Sequence, residues 1–245
     1  GIDVGGTGIK AAIVDIRTGE LLSERLRVET PAGGEPNDIA AACNGLIEQL
    51  AAPSNLTVGL CFPAVVTHGI TRSAANVSDA WIGLKAQKLF TKALGRKTHV
   101  LNDADAAGVA EMKFGAGRKA KGVTIMTTLG TGIGSALFLN KKLVPNTELG
   151  HLDIGDIRDF EQYASFAQME AEGLSFEQWA ERLEIFYAHL ERLVSPDLFI
   201  VGGGISKSHQ SFLPLITTNA PIVPATTRNA AGIIGAAAMA AKVLK

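Results

Sequence analysis

The tetrapeptide Gly6-Thr7-Gly8-Ile9 returns as Gly130-Thr131-Gly132-Ile133 in this chain of 245 residues. A short apolar strand pattern precedes each copy and an alternating one follows it. Beyond the turns, Ala12-Ile13-Val14 lines up with Ala136-Leu137-Phe138. A shared tetrapeptide inside a shared order of strands reads as an internal duplication. A duplicated strand–turn–strand opening predicts two related α/β lobes rather than one continuous sheet.

The rest of the chain fits that frame. The patterns predict strands at Ile2 to Val4, at 9–16 and at 21–28, then a Pro/Gly-rich loop from Thr30 to Pro36. A helix is expected near 38–51, capped by Asn37, followed by strands around 56–61 and 65–72. A second helix near 83–94 ends at Gly95, and the buried strand His99 to Leu101 delivers Asn102-Asp103 to a helix running to about Phe114. The second half restarts with strands at Val123 to Thr128 and Ile133 to Leu139, and a turn at Asn140-Lys141-Lys142. Helices around 158–170 and 175–193, a strand from Asp197 to Val201 and an Ala-rich helix over 229–243 complete it. Two lobes that each open on a Gly-turned hairpin describe the α/β, duplicated actin/hexokinase-like (ribonuclease H-like) fold, in which the two turns face each other across a cleft. The expected division is a smaller N-terminal lobe over 1–103, joined by the terminal helix at about 229–245, and a larger lobe over 104–228.

Composition narrows the function. An apolar content of 47% supplies a substantial core, and 23 Lys plus Arg against 24 Asp plus Glu leave a net charge of −1. That balance argues against a nucleic-acid binder. No apolar run approaches the ~20 residues of a membrane span, and no signal peptide is visible. Cys43 and Cys61 make no metal motif and read as small core residues of a cytoplasmic protein. The chain opens on Gly1-Ile2-Asp3-Val4 inside a strand pattern and without Met, which implies that residues precede it.

Asp3-x-Gly5-Gly6-Thr7-Gly8-x-Lys10 carries the first chemistry. Glycines let backbone N–H groups approach an anion, the Thr hydroxyl adds a donor, and Asp3 would hold a hydrated Mg²⁺ at the phosphates. The segment is neither a Walker A loop nor a dinucleotide fingerprint, because a strand follows it. Gly130, Thr131 and Gly132 form a second cradle of the same kind, and Gly202, Gly203 and Gly204 would admit a donor molecule closely. Asp103 is either a helix cap or a carboxylate placed to take a proton from an attacking hydroxyl, help worth roughly 10²–10⁴ in rate. Asn76, Glu148, His151 and Glu161 supply the amides, carboxylates and imidazole that sugar hydroxyls need, although Glu148-Leu149-Gly150-His151 also fits a plain surface loop. Lys113, Arg118, Lys119, Lys121, Lys141 and Lys142 form a local basic excess, read either as a solvated face or as a track for a polyanion.

At this point the chain resembles the ROK family of repressors and sugar kinases, over essentially its whole length. The resemblance is carried by Asp3 to Lys10, Ser73-Ala74-Ala75-Asn76-Val77, Asn102 to Gly108, Leu129 to Gly134, Pro145 to Leu152, Val201 to Ser206 and Ala230 to Ala237. It implies that Asp103 is the catalytic base and that Asn76, Asn102, Glu148 and His151 bind glucose hydroxyls. Glu161, in Phe160-Glu161-Gln162-Tyr163-Ala164-Ser165, is similar to a later sugar-binding Glu of the family. Most members carry a Cys-rich zinc motif between the Gly-His pair and that Glu. Here Gly155-Asp156-Ile157-Arg158-Asp159 fills the space, so no such zinc site is expected. That departure, with Asp105, resembles the branch that uses inorganic polyphosphate. The implied activity is Mg²⁺-dependent phosphorylation of the glucose 6-hydroxyl by polyphosphate, with ATP as a possible second donor, in a homodimer. The rivals are a strictly ATP-dependent hexokinase for glucose, mannose or a related hexose, a sugar-sensing regulator without its DNA-binding domain, and an actin-like filament protein.

Overall fold

The computed structural model describes residues 1–244, which form two compact units. One comprises Gly1–Ala110 and the chain from Ala230 onward; the other is Glu111–Asn229.

In the first unit, β1 (Ile2–Val4), β2 (Ile9–Ala11) and β3 (Leu26–Val28) form an antiparallel meander. After α1 (Pro36–Gln49), β4 (Val58–Phe62) joins parallel to β1. A small hairpin of β5 (Val66–Thr67) and β6 (Ile70–Thr71) and the helix α2 (Ala86–Leu94) lead to β7 (Thr98–Asn102), parallel to β4. α3 (Asp103–Phe114) begins at once on the end of β7 and carries the chain from the first unit into the second. The second unit repeats the programme: β8 (Val123–Leu129), β9 (Ile133–Leu139) and β10 (Lys142–Val144) form the meander. α4 (Glu161–Ala164), α5 (Phe166–Glu172) and α6 (Phe176–Val194) follow. β11 (Leu198–Gly202) and β12 (Ile222–Pro224) add in parallel, and α7 (Ala231–Val243) returns to the first unit.

The sheet orders are β3-β2-β1-β4-β7 and β10-β9-β8-β11-β12. Position for position these are one topology, so the duplication read in the turns extends to every strand of both main sheets. The copies differ by one residue: Val4 pairs with Ile9 across a loop of four, and Leu129 pairs with Ile133 across a loop of three.

Each unit has its own core. In the first, Trp81 lies between Phe62 at 4.3 Å and Phe90 at 5.6 Å, and its indole N–H donates to the Gly34 carbonyl at 2.8 Å. In the second, Trp179, Phe186 and Tyr187 of α6 are fully buried with Phe199 and Phe212. Burying each such ring contributes roughly 1.5–3 kcal/mol. Small residues let α7 lie directly on β4: a Cβ on Gly59 would stand 1.9 Å from the Ala236 carbonyl oxygen.

Several local expectations are corrected. α1 starts at Pro36, whose fixed φ suits the first helical position, so Asn37 sits in the first turn and does not cap. The stretch 65–72 is a hairpin, because His68 and Gly69 both take positive φ (53° and 73°), the two-residue turn that matches strand twist. The helix expected over 158–170 is broken at Ser165, which is extended and caps α5 by accepting from Gln168 N–H. The strands expected at 9–16 and 21–28 shorten to β2 and β3, with a single Val14–Leu21 bridge beyond. Lys142 opens β10 instead of closing a turn. No helix among the described residues is long and apolar enough to cross a membrane.

Candidate active site

In the first unit the Gly5–Gly8 turn is closed by Gly5 N–H donating to the Gly8 carbonyl at 3.1 Å. Asp3 stands at its foot with both oxygens engaged: the Lys10 ammonium donates to Oδ2 at 3.2 Å and the Cys61 thiol to Oδ1 at 3.3 Å. Burial, then the charges of Asp3 and Asp103, push the Cys61 thiol well above its usual range, so it stays a neutral donor. The turn touches Asn76 directly, since a Cβ on Gly6 would meet the Asn76 Cβ at 2.7 Å. Asn76 is exposed and left-handed, with φ 59°.

At the junction of β7 and α3 the cap is Asn102, not Asp103. Asn102 Oδ1 accepts from Asp105 N–H at 3.0 Å, and its buried amide donates to the Ala64 carbonyl at 3.2 Å. Asp103 takes the first helical position, exposed, with Oδ1 accepting its neighbour Ala104 N–H at 2.8 Å. Asp105 is buried in the same turn.

In the second unit the Gly130–Gly132 turn adjoins the other glycine run: a Cβ on Gly203 would lie 2.2 Å from the Leu129 carbonyl oxygen. Gly130 and Gly204 both face open space where a side chain would start. Glu161, at the head of α4, accepts from Ile133 N–H at 2.9 Å, and a Cβ on Gly132 would collide with its carboxylate. Each Gly-Thr-Gly turn is therefore packed against one member of the polar set, Asn76 in the first unit and Glu161 in the second. Ser135 of β9 anchors the neighbouring segment, accepting from Leu149 N–H at 2.9 Å and donating to the Thr147 carbonyl at 2.6 Å. That places Glu148 and His151 beside the turn. Burial raises the Glu148 carboxyl above the usual 4.5, opposed by the His151 charge.

Sequence reasoning missed Asp159. Its carboxylate accepts from His151 Nδ1 at 2.7 Å, which leaves Nε2 as the ring atom presented outward. Asp159 is held in turn with φ 48°, its N–H donating to Asp153 Oδ1 at 2.9 Å, while Arg158 pairs with Asp153. A carboxylate eight residues from a His in a loop carries no periodic signal. The His151, Asp159 and Glu161 ligand atoms lie within 4.8 Å of one another, the one such trio among the described residues. Two of the three are already tied together by the bond from His151 Nδ1 to Asp159 Oδ1. That bond to Asp159 lifts the His151 pKa above 6.5, partial burial opposes it, and the charges of Glu161, Asp159 and Glu148 add. The raised value means that the ion pair supports the fold fully below the unfolded pKa and fades as pH rises through the folded one. Asp159→Asn lowers the His151 pKa, readable by NMR titration of the imidazole; an unchanged pKa contradicts the pairing.

The lobed duplication, the two glycine turns and the polar set define a sugar-kinase-type member of the actin/hexokinase-like fold. The chain belongs to the ROK family, which matches residues 1–162. It is 42% identical over 238 residues to the polyphosphate glucokinase of Mycobacterium tuberculosis, covering 97% of this chain and 89% of that one. The crystal structure of the inorganic polyphosphate/ATP-glucomannokinase from Arthrobacter sp. strain KM superposes with a TM-score of 0.94 at 48% identity, covering 99% of this chain and 97% of that one. A ROK family glucokinase from Streptomyces griseus, in complex with glucose and AMPPNP, gives 0.82 at 25% identity over 99% and 98% of the two chains.

Proposed function

We propose that this protein transfers the terminal phosphoryl group of inorganic polyphosphate to the 6-hydroxyl of glucose, with ATP as a second donor. The observation that carries the reading is the pairing of each Gly-Thr-Gly turn with a sugar-set residue, Gly6 with Asn76 and Gly132 with Glu161. A phosphate cradle touching a hydroxyl-binding group is what transfer between the two requires. The near full-length similarity to polyphosphate-using glucose kinases supports the choice of substrates.

Asp103 accepts the proton of the 6-hydroxyl as its oxygen attacks, and the bond from the transferred phosphorus to the bridging oxygen breaks. The shortened polyphosphate leaves with the negative charge. Asn76, Asn102, Glu148, His151 and Glu161 orient the sugar, because phosphoryl transfer depends mainly on positioning and electrostatics. Asp3 offers the hard oxygen ligands that suit Mg²⁺; with both oxygens already engaged by Lys10 and Cys61, it would hold the ion through water. Held there, the ion would supply charge neutralisation on the phosphate chain. The resemblance further implies a cytoplasmic homodimer, in line with two buried, unpaired cysteines.

The acceptor is tested with 6-deoxyglucose. It should inhibit competitively against glucose and yield no phosphorylated sugar; a phosphorylated product would place the reaction at another hydroxyl.

The basic excess belongs to the same reading. Arg118, Lys119, Lys121, Lys141 and Lys142 are exposed, and among the described residues no carboxylate pairs with them. The Lys141 ammonium donates to the Arg118 carbonyl, drawing the β9–β10 turn onto the 116–119 turn. Lys113 lies 4.9 Å over the Phe114 ring. Polyphosphate has no base to stack, so a run of exposed cations suits it. Neutralising Arg118, Lys119 and Lys121 together raises the polyphosphate KM several-fold, and the wild-type KM climbs with salt as counterion release requires. Glucose KM stays put. Equal losses with ATP and polyphosphate would put the polyanion elsewhere.

A further inference from the structure

Read across the first sheet, the register places Cys61, Asp3, Lys10 and Arg27 in one row, on β4, β1, β2 and β3. Residues directly opposite on neighbouring strands point to the same face. Within the row, Asp3 takes the Cys61 thiol on one oxygen and the Lys10 ammonium on the other. The motif's own lysine is therefore largely neutralised by the motif's own aspartate.

The row ends in a cation that no motif names. Arg27 lies on the edge strand β3, exposed, and its Nη2 donates to the Thr7 carbonyl at 3.1 Å, in the middle of the first glycine turn. A Cβ on Gly8 would stand 2.8 Å from both Nε and Nη2 of Arg27. Gly8 does not take a positive φ, so its lack of a side chain serves the close approach of this guanidinium. No carboxylate pairs with Arg27 among the described residues.

Two features of the row point to an anion. Lys10 and Arg27 are directly opposed like charges, a pairing that costs stability unless something negative lies between or above them. The row also sums to one positive charge, since Asp3 cancels only one of the two cations. A guanidinium has five N–H donors in a planar fork, and the Thr7 carbonyl accounts for one. The fork matches phosphate oxygens better than an ammonium does.

We propose that Arg27 binds the phosphate chain of the donor at the first Gly-Thr-Gly turn, supplying the positive charge that Lys10 has given to Asp3. The proposal rests on the phosphoryl-transfer reading above and extends it to a residue outside the motif.

The test compares wild type with Arg27→Ala and Arg27→Lys, using medium-chain sodium polyphosphate and ATP in turn. Losing a charge-assisted contact should raise the donor KM about tenfold or more in Arg27→Ala. Glucose KM and Tm should hold. Arg27→Lys should recover part of the loss, because it restores charge without the fork. Polyphosphate binding followed by titration calorimetry, without glucose, should weaken in parallel, and this readout needs no turnover. Unchanged donor KM and unchanged polyphosphate binding overturn the role of Arg27. A fall in Tm with matching losses for donor and glucose would make it only a prop for the turn, which also overturns it. Wild-type protein that binds polyphosphate through Arg27 yet transfers nothing would leave the assignment standing and sink the kinase reading.

Discussion

Asp103→Asn lowers kcat by about 10²-fold or more while leaving the fold and the glucose Kd close to wild type. The size follows from the role proposed for Asp103: an amide cannot take the hydroxyl proton. The retained fold follows from the β7–α3 junction. There Asn102 caps the helix through Asp105 N–H, so the stability of α3 does not hang on the Asp103 carboxylate. Asn at Asp103 can still accept from Ala104 N–H through its amide oxygen, as Oδ1 does now at 2.8 Å. Stopped assays give kcat, and fluorescence or calorimetric titration gives the glucose Kd. A variant keeping more than about a tenth of wild-type kcat would remove Asp103 as the base.

Glu111→Ala produces the largest loss of stability. Glu111 is fully buried in α3, yet no cation pairs with it among the described residues. Its carboxylate instead accepts from the backbone N–H groups of Ala116 at 2.7 Å, Thr226 at 2.8 Å and Thr227 at 2.6 Å. The hydroxyls of Thr226 and Thr227 donate to it as well. One side chain thus closes the turn after α3 and pins the 225–227 loop to it. Alanine removes the shared acceptor of three partly buried backbone donors and two hydroxyls, at about 1 kcal/mol or more for each backbone bond lost. A total of about 3 kcal/mol or more corresponds to a Tm drop of about 6–12 °C in a chain of this size. Glu111→Gln keeps an oxygen for part of the set and should fall between. Calorimetry decides it, and an alanine variant melting within about 2 °C of wild type would show that water replaces the lost acceptor.

The duplication was legible because a Gly-Thr-Gly turn between strands is a local pattern, and both copies kept their flanking alternation. Fold class followed from it. α2 ended at Gly95 as expected, since the left-handed cap is written in one residue. Other ends were set by competition between neighbours that a single-residue rule does not weigh. Pro36 displaced Asn37 as the start of α1, and Ser165 cut a continuous apolar pattern into α4 and α5. The polar set could be named from its motifs, but its supports could not. Asp159 behind His151, Cys61 behind Asp3 and Arg27 over Gly8 are partnerships made by tertiary packing or sheet register. The Glu111 cage joins residues more than a hundred positions apart, and nothing in a helical Glu announces it.

The most direct measurement is the formation of glucose 6-phosphate from glucose and inorganic polyphosphate with no nucleotide present. Glucose-6-phosphate dehydrogenase reports it as NADPH. Purified protein with Mg²⁺ should give a steady rate that vanishes when polyphosphate is withheld, and in Asp103→Asn. Product with ATP but none with polyphosphate would contradict the donor, and no product with either would contradict the kinase.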